Sequence, residues 1–164
     1  MTTDTRPGHL PSLGSHERGE VGRCLQESLT ELIALSLMGK QFHWNVVGPL
    51  FKPLHLQLDE LVDAWRDLSD TVAERAVAIG FPVDGRAAAV VASGLDPVDD
   101  GLIDDRIVVR ELARRVAEVA ERIRARMNRL SDLDLASQDV LIEVVRSLEM
   151  QLWMIRAQFP QPHH

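Results

Sequence analysis

Tyrosine is absent from this chain of 164 residues, and four phenylalanines and three tryptophans supply all of its aromatic side chains. Proteins built only from β-strands are usually richer in aromatic residues, so the sequence disfavours an all-β fold. The single cysteine, Cys24, excludes a disulfide and a cysteine zinc site within one chain. The longest unbroken apolar run, residues 87–92, has six members, whereas a membrane helix needs ~20. We therefore expect a helical protein that does not enter a membrane.

Positive charge is also scarce, since 18 basic residues face 25 acidic ones and the formal net charge is −7. Proteins that bind nucleic acid normally display a basic patch, so this balance argues against DNA as the main partner and favours cations. No charged segment leads into an apolar stretch near the N-terminus, as a secretory signal would. Together with the lone cysteine, this predicts a cytoplasmic protein.

Apolar residues recur at steps of three and four in four segments, which predicts four amphipathic helices. We expect them at about residues 17–45, 53–79, 102–130 and 135–159. Gly48-Pro49 separates the first two helices, and Gly80 with Pro82 ends the second. No segment shows the alternation typical of strands. The fold class predicted is therefore all-α, a four-helix bundle.

The second and third helices are joined by a long connection, residues 83–100, in which Asp96-Pro97 is a candidate start for a short helical turn. A long crossover at this place is typical of the ferritin-like topology, not of a simple up-down-up-down bundle. We expect one domain over residues 17–159. A flexible N-terminal tail, 1–16, and a short C-terminal tail, 160–164, would flank it.

The second helix carries a row of ionisable residues away from its apolar stripe. At ~100° per residue, the members of this polar row fall within about a third of the helix circumference: His55, Asp59, Asp63, Arg66, Asp70 and Glu74. Two pairs in it, His55 with Asp59 and Asp70 with Glu74, have the i, i+4 spacing at which side chains can share a metal. The alternative is an ordinary solvated face.

The members of the polar row are spaced symmetrically along the sequence about the midpoint between Ala64 and Trp65. His55 and Glu74 are ~28 Å apart along the helix, so one helix cannot bring both pairs to one ion. Two copies packed antiparallel about a dyad would place His55 opposite the partner's Glu74 and Asp59 opposite the partner's Asp70. In the same dimer, Asp63 would face the partner's Arg66. Twofold symmetry would then build two equivalent sites, each shared by both chains.

His43 lies at the end of the first helix and would add a second imidazole beside His55. A lone histidine there is otherwise often a satisfied core or surface residue. With His43, the row offers two imidazoles and three carboxylates. That donor set suits Fe(II), Mn or Zn, with geometry and availability choosing among them.

A longer pattern spans the first two helices and contains, in order, Lys40, His43, Trp44, Asn45, Gly48, Phe51, His55, Asp59, Asp70 and Glu74. This pattern resembles the Dps family of ferritin-like proteins, and the resemblance covers roughly residues 20–158. It implies a hollow homo-dodecamer with 23 symmetry and ferroxidase sites at the dimer interface. It implies that Fe(II) is oxidised, with hydrogen peroxide or dioxygen, and stored as ferric oxyhydroxide.

The resemblance also implies which residues act at the site. His43, His55 and Asp59 of one chain, with the partner's Asp70 and Glu74, would form a two-iron site that Zn or Mn could also occupy. Trp44 would lie near the iron and quench stray radicals, with simple packing as the alternative. Lys40 would pair with an acid near the site or be a plain surface lysine.

Iron would enter the shell through acidic pores near the start of the last helix, again by resemblance. The candidates are Asp134, Asp139 and Glu143. A ring of three copies of these acids would concentrate cations. Asp134 fits a helix cap equally well, so Asp139 is the better pore candidate.

Three other functions compete with this interpretation. DNA compaction needs basic contacts to phosphate, but residues 1–20 carry two arginines against three acids, so DNA binding should be weak or absent and nucleoid association would need another surface. A 24-subunit ferritin needs a Glu-x-x-His motif, which the sequence lacks. A metal-free scaffold bundle would show no metal-dependent oxygen consumption.

Overall fold

The computed structural model describes residues 13–158. In that range the chain forms, in order, α1 (Ser15–Asn45), β1 (Val46–Val47), α2 (Phe51–Ala78), α3 (Ala87–Val91), β2 (Ile103–Asp104), α4 (Asp105–Arg129) and α5 (Leu135–Arg156). The prediction of an all-α bundle with four long helices is confirmed. Nearly every residue of the predicted apolar stripes is buried in one continuous core. Over the same residues, no helix is long and apolar enough to cross a membrane.

The long crossover is set by the pairing of two very short strands, which the sequence did not predict. Val46 pairs with Ile103 and Val47 with Asp104, in parallel. This pairing places the start of α4 beside the turn between α1 and α2, so α2 and α4 run in the same direction. Residues 79–104 must therefore return along the length of the bundle, as the ferritin-like topology requires.

The crossover also corrects two predictions. The short helix lies at Ala87–Val91, not after Asp96-Pro97, because alanine favours helix whereas Gly94 and Gly101 adopt positive φ. The third long helix begins at Asp105, not near Leu102, because Ile103 belongs to β2. The Asp104 carboxylate caps α4 by accepting the Arg106 N–H at 2.9 Å.

The predicted tails are only partly described by the structure. α1 begins at Ser15, and Leu13 just before it is buried against the core. Residues 1–12 and 159–164, including the terminal His163-His164 pair, lie outside the described range.

Close packing against the neighbouring helices holds the apolar face of α2, which lies opposite its polar row. A side chain at Gly39 of α1 would put its Cβ 2.6 Å from Val62 Cγ2, so only glycine allows α1 and α2 to approach this closely. On the other side of α2, buried Trp65 donates its Nε1–H to Gln151 of α5 at 2.8 Å. The core stripe of α2 is thus fixed between α1 and α5, which leaves its polar row facing outward.

Candidate metal centre

The two predicted histidines meet where α1 ends and α2 begins. The rings of His43 and His55 are stacked, with centroids 3.7 Å apart and planes 19° from parallel. His43 Nδ1 lies 2.8 Å from the carbonyl oxygen of His55, and His55 Nδ1 lies 2.9 Å from the carbonyl oxygen of His43. Each imidazole is therefore oriented by the backbone of the other.

These reciprocal contacts fix the tautomer of both rings. A carbonyl oxygen can only accept a hydrogen bond, so Nδ1 must carry the proton in each imidazole. The unprotonated Nε2 of each ring then keeps its lone pair for a metal. A histidine whose other ring nitrogen donates to a backbone carbonyl is the usual arrangement of a metal ligand.

Asp59 lies one helical turn beyond His55 and completes a local cluster. Its Oδ1 contacts the Lys40 ammonium and lies 3.4 Å from His43 Nδ1. The hydrogen bond from Lys40, with the positive charge of its ammonium, lowers the pKa of Asp59 below its ordinary value of 3.8, against a smaller opposing effect of desolvation. Asp59 is therefore an anion at neutral pH, and Lys40 is paired within the site.

Phe51 borders this cluster, whereas Trp44 is exposed to solvent. The Phe51 ring lies 5.1 Å from the His55 ring at a tilt of 32°. Trp44, directly after His43, is 68% exposed. Packing within its own chain therefore does not explain why a tryptophan occupies position 44.

The remaining two predicted ligands, Asp70 and Glu74, lie far from the cluster. Both are exposed on α2, and Asp70 is ~16 Å further along the helix than Asp59. Although His43, His55 and Asp59 are neighbours, no group of three or more His, Cys, Asp or Glu side chains within residues 13–158 of a single chain is arranged to hold a metal ion. One chain therefore presents two separated parts of the predicted ligand set.

The middle of the polar row carries an ion pair within the chain. Arg66 Nη1 lies 3.7 Å from Asp63 Oδ1, and both side chains are largely exposed. An exposed pair of this kind contributes little to stability. Asp63 and Arg66 can therefore exchange this contact for one with another molecule at little cost.

The three pore candidates have different environments. Asp134 is the N-cap of α5 and accepts hydrogen bonds from the Ser137 N–H at 3.3 Å and the Ser137 hydroxyl at 2.5 Å. It also accepts a hydrogen bond from Arg75 Nη2 at 2.7 Å, which neutralises its charge. Asp139 and Glu143 are exposed on the following turns of α5, where their charges remain available to a cation.

Asp105 fixes the turn before α2, and sequence reasoning missed this role. Its Oδ2 accepts the Leu50 N–H at 2.6 Å, which ties the start of α2 to α4. Gly48, with φ of +130°, lies against the same carboxylate, and a Cβ there would be 2.5 Å from Asp105 Oδ2. The sequence showed Asp105 only as an acid favoured by the helix dipole, because its partner lies 55 residues away.

Comparisons with known proteins agree with the fold described above. The model of the ferritin-like domain family matches residues 23–161. DNA protection during starvation protein 2 of Deinococcus radiodurans is 36% identical over 149 residues, which cover 90% of this chain and 62% of that protein. The chain thus spans less than two thirds of that relative's length.

Two further relatives are covered more completely. The DNA protection during starvation protein of Mycolicibacterium smegmatis is 34% identical over 151 residues, which cover 90% of this chain and 81% of that protein. The tetragonal form of Mycobacterium smegmatis Dps superposes with a TM-score of 0.90 at 31% identity, covering 99% of this chain and 96% of that one. The chain therefore belongs to the ferritin-like proteins and, within them, to the Dps family.

Proposed function

We propose that two copies of this chain pack antiparallel through α2 and share two ferroxidase sites. In each site, His43, His55 and Asp59 of one chain would face the partner's Asp70 and Glu74. One observation carries the proposal: two imidazoles whose Nδ1 atoms are held by backbone carbonyls stand beside the ionised Asp59 carboxylate, yet residues 13–158 of a single chain form no complete metal group. Membership of the Dps family independently supports a role in iron storage and protection.

An exposed apolar surface supports the proposed dimer. A groove between α1 and α2 runs beside Asp70 and is lined by Leu29, Ile33 and Leu37. Leu37 is 61% exposed there. Apolar surface next to a polar row is typical of an interface between subunits, and a second α2 helix would cover it.

The donor set suits iron oxidation because it favours the higher oxidation state without closing the coordination sphere. Carboxylates stabilise Fe(III) over Fe(II), whereas neutral imidazoles bind both states. Two Fe(II) ions give one electron each to hydrogen peroxide, which takes up two protons and leaves as two waters. Dioxygen is the alternative oxidant, and Zn(II) or Mn(II) would compete for the same ligands. Trp44, exposed beside His43, would intercept stray one-electron oxidants.

The oxidised iron would be stored as ferric oxyhydroxide inside a homo-dodecamer with 23 symmetry. We place this assembly in the cytoplasm. The names of the relatives mention DNA protection, but an acidic chain lacks the charge for tight phosphate binding. We propose weak or no DNA binding, and any nucleoid association would have to use a surface other than residues 1–20.

Iron entry is assigned to Asp139 and Glu143. We expect Asp139→Asn to slow iron uptake severalfold while leaving the oxidation of the first irons at each site unchanged, because a pore acts on supply rather than on chemistry. Stopped-flow absorbance at low iron load measures oxidation of the first irons, and the same measurement at high iron load measures uptake. Asp132→Asn, an exposed acid just before α5, is the matched control. Equal uptake by both variants and the wild type would remove Asp139 from the pore.

Anaerobic Fe(II) addition followed by a peroxide pulse tests the proposed function. We expect fast absorbance growth near 300–350 nm that saturates at about two irons per shared site, on a particle of about twelve chains. Mass photometry of the same sample gives the particle mass. A small oligomer that oxidises iron no faster than a protein-free control would contradict the proposal and leave an ion-paired helical bundle.

A further inference from the structure

Within residues 13–158, Lys40 is the one lysine or arginine that forms an ion pair with a proposed metal ligand. Its ammonium comes from α1 and contacts Oδ1 of Asp59 on α2. The same oxygen lies 3.4 Å from His43 Nδ1. One of the two oxygens that Asp59 could offer to a metal is therefore already held by a positive charge.

The ion pair depends on the packing of α1 against α2. Gly39, next to Lys40, allows the two helices to approach closely. Lys40 lies one turn before His43, and Asp59 lies one turn after His55, so the pair forms the layer next to the stacked imidazoles. The Lys40 side chain is 24% exposed and that of Asp59 is 41% exposed. The ammonium can thus leave Asp59 for solvent by rotating its flexible four-carbon stem, without a movement of either helix.

A divalent metal and the Lys40 ammonium would compete for Asp59. Both are attracted to the same carboxylate, and two positive charges a few ångströms apart repel each other strongly at a partly buried site. Asp70 and Glu74 form no ion pair in the part of the chain that the structure describes. Asp59 is therefore the proposed carboxylate ligand whose charge is already neutralised within its own chain.

We propose that Lys40 is an internal competitor that lowers the affinity of the metal centre for divalent ions and leaves Asp59 when a metal binds. This inference rests on the proposed function, in which Asp59 is a metal ligand. Moderate affinity suits a site that oxidises iron and then passes it to a store. Lysine suits this role better than arginine, because a guanidinium would hold the carboxylate through two parallel hydrogen bonds.

Calorimetric titration of the iron-free, assembled protein with Zn(II) tests the proposal, because Zn(II) uses the same kinds of ligand without redox chemistry. We expect Lys40→Met to bind Zn(II) more tightly than the wild type by about tenfold or more, since the competing charge is lost while a side chain of similar length keeps the packing. Lys52→Met is the matched control. Lys52, the other lysine of the chain, is exposed in the first turn of α2. Salt screens its charge, so its loss should change the affinity by less than about twofold.

Two further variants determine whether the competition acts through Asp59. Lys40→Arg should bind Zn(II) more weakly than the wild type by about threefold or more, because the guanidinium holds Asp59 more firmly. In an Asp59→Asn background, Lys40→Met should increase the affinity by less than about twofold. The carboxylate for which the two cations compete is then absent, and the freed Lys40 ammonium is screened in solvent.

Four results would overturn the role of Lys40. Unchanged or weaker Zn(II) binding by Lys40→Met would mean that the ion pair orients Asp59 or has no influence on the metal. An equal gain in Lys52→Met, or a full gain in the Asp59→Asn background, would reveal general electrostatic repulsion instead of competition for one carboxylate. Tighter binding by Lys40→Arg would contradict the competition even if Lys40→Met fails to assemble.

Failure of this inference is distinguishable from failure of the proposed function. A wild-type particle that neither binds Zn(II) nor oxidises Fe(II) would refute the proposed function itself. Zn(II) binding by the wild type that Lys40→Met leaves unchanged would refute only the role of Lys40.

Discussion

Replacing His43 and His55 together by alanine is expected to slow rapid Fe(II) oxidation by about a hundredfold or more. Loss of a residue that merely supports a metal ligand typically costs ~10–100-fold in affinity or activity, and this double variant removes both Nε2 donors. Asp59 and the partner's Asp70 and Glu74 remain, but the proposed site then has no imidazole ligand. Stopped-flow oxidation with peroxide measures the effect.

The matched control for this prediction is His16→Ala. His16 is exposed in the first turn of α1, far along the helix from the cluster, and its loss should leave the rate unchanged. The stacked rings also stabilise the junction of α1 and α2, so the particle mass and helicity of the double variant must be checked. Asp59→Asn, which keeps the shape of the side chain, should also slow oxidation at least tenfold. Wild-type rates in both variants would contradict the ligand assignment.

Glu31→Ala is expected to lower the free energy of unfolding by about 3–5 kcal/mol, the usual cost of removing one partner of a buried ion pair. Glu31 is 2% exposed in α1. Its carboxylate accepts hydrogen bonds from Arg126 Nη1 at 2.5 Å, Arg126 Nη2 at 2.8 Å and Arg122 Nη1 at 3.2 Å, both arginines being on α4. Truncation would leave the Arg126 guanidinium largely buried without its main counter-ion.

Glu27→Ala provides a matched control one turn earlier on α1. Glu27 pairs with the same Arg126 at 2.9 Å, but its side chain is 56% exposed, and exposed pairs contribute only ~0–1 kcal/mol. Urea unfolding at one fixed protein concentration should therefore separate the two variants clearly, since subunit association adds to apparent stability. A loss below about 1 kcal/mol in Glu31→Ala would contradict the account of this network.

Local sequence patterns predicted the helices and the proposed ligands because both depend on short spacings. The apolar stripe of α2, from Leu58 to Ala76, follows from steps of three and four. His55 and Asp59 fall on one face for the same reason. The symmetry of the polar row is also the reason for proposing that two chains share each site.

Features that depend on distant contacts could not be predicted in this way. The tie between Asp105 and Leu50 joins residues 55 apart, and the one between Glu31 and Arg126 joins residues 95 apart. The reciprocal histidine contacts depend on how the Gly48 turn aligns two backbones, which helical periodicity does not describe.

Mixing two inactive variants tests the shared site most directly. One variant carries His55→Ala with Asp59→Asn, and the other carries Asp70→Asn with Glu74→Gln. Random pairing after joint refolding should restore about a quarter of the wild-type number of sites, because each mixed dimer contains one intact site and one doubly altered site. Fe(II) oxidation by the mixture at about that level, with each variant alone inactive, is the predicted result. A mixture no more active than its separate components would contradict a site built from two chains.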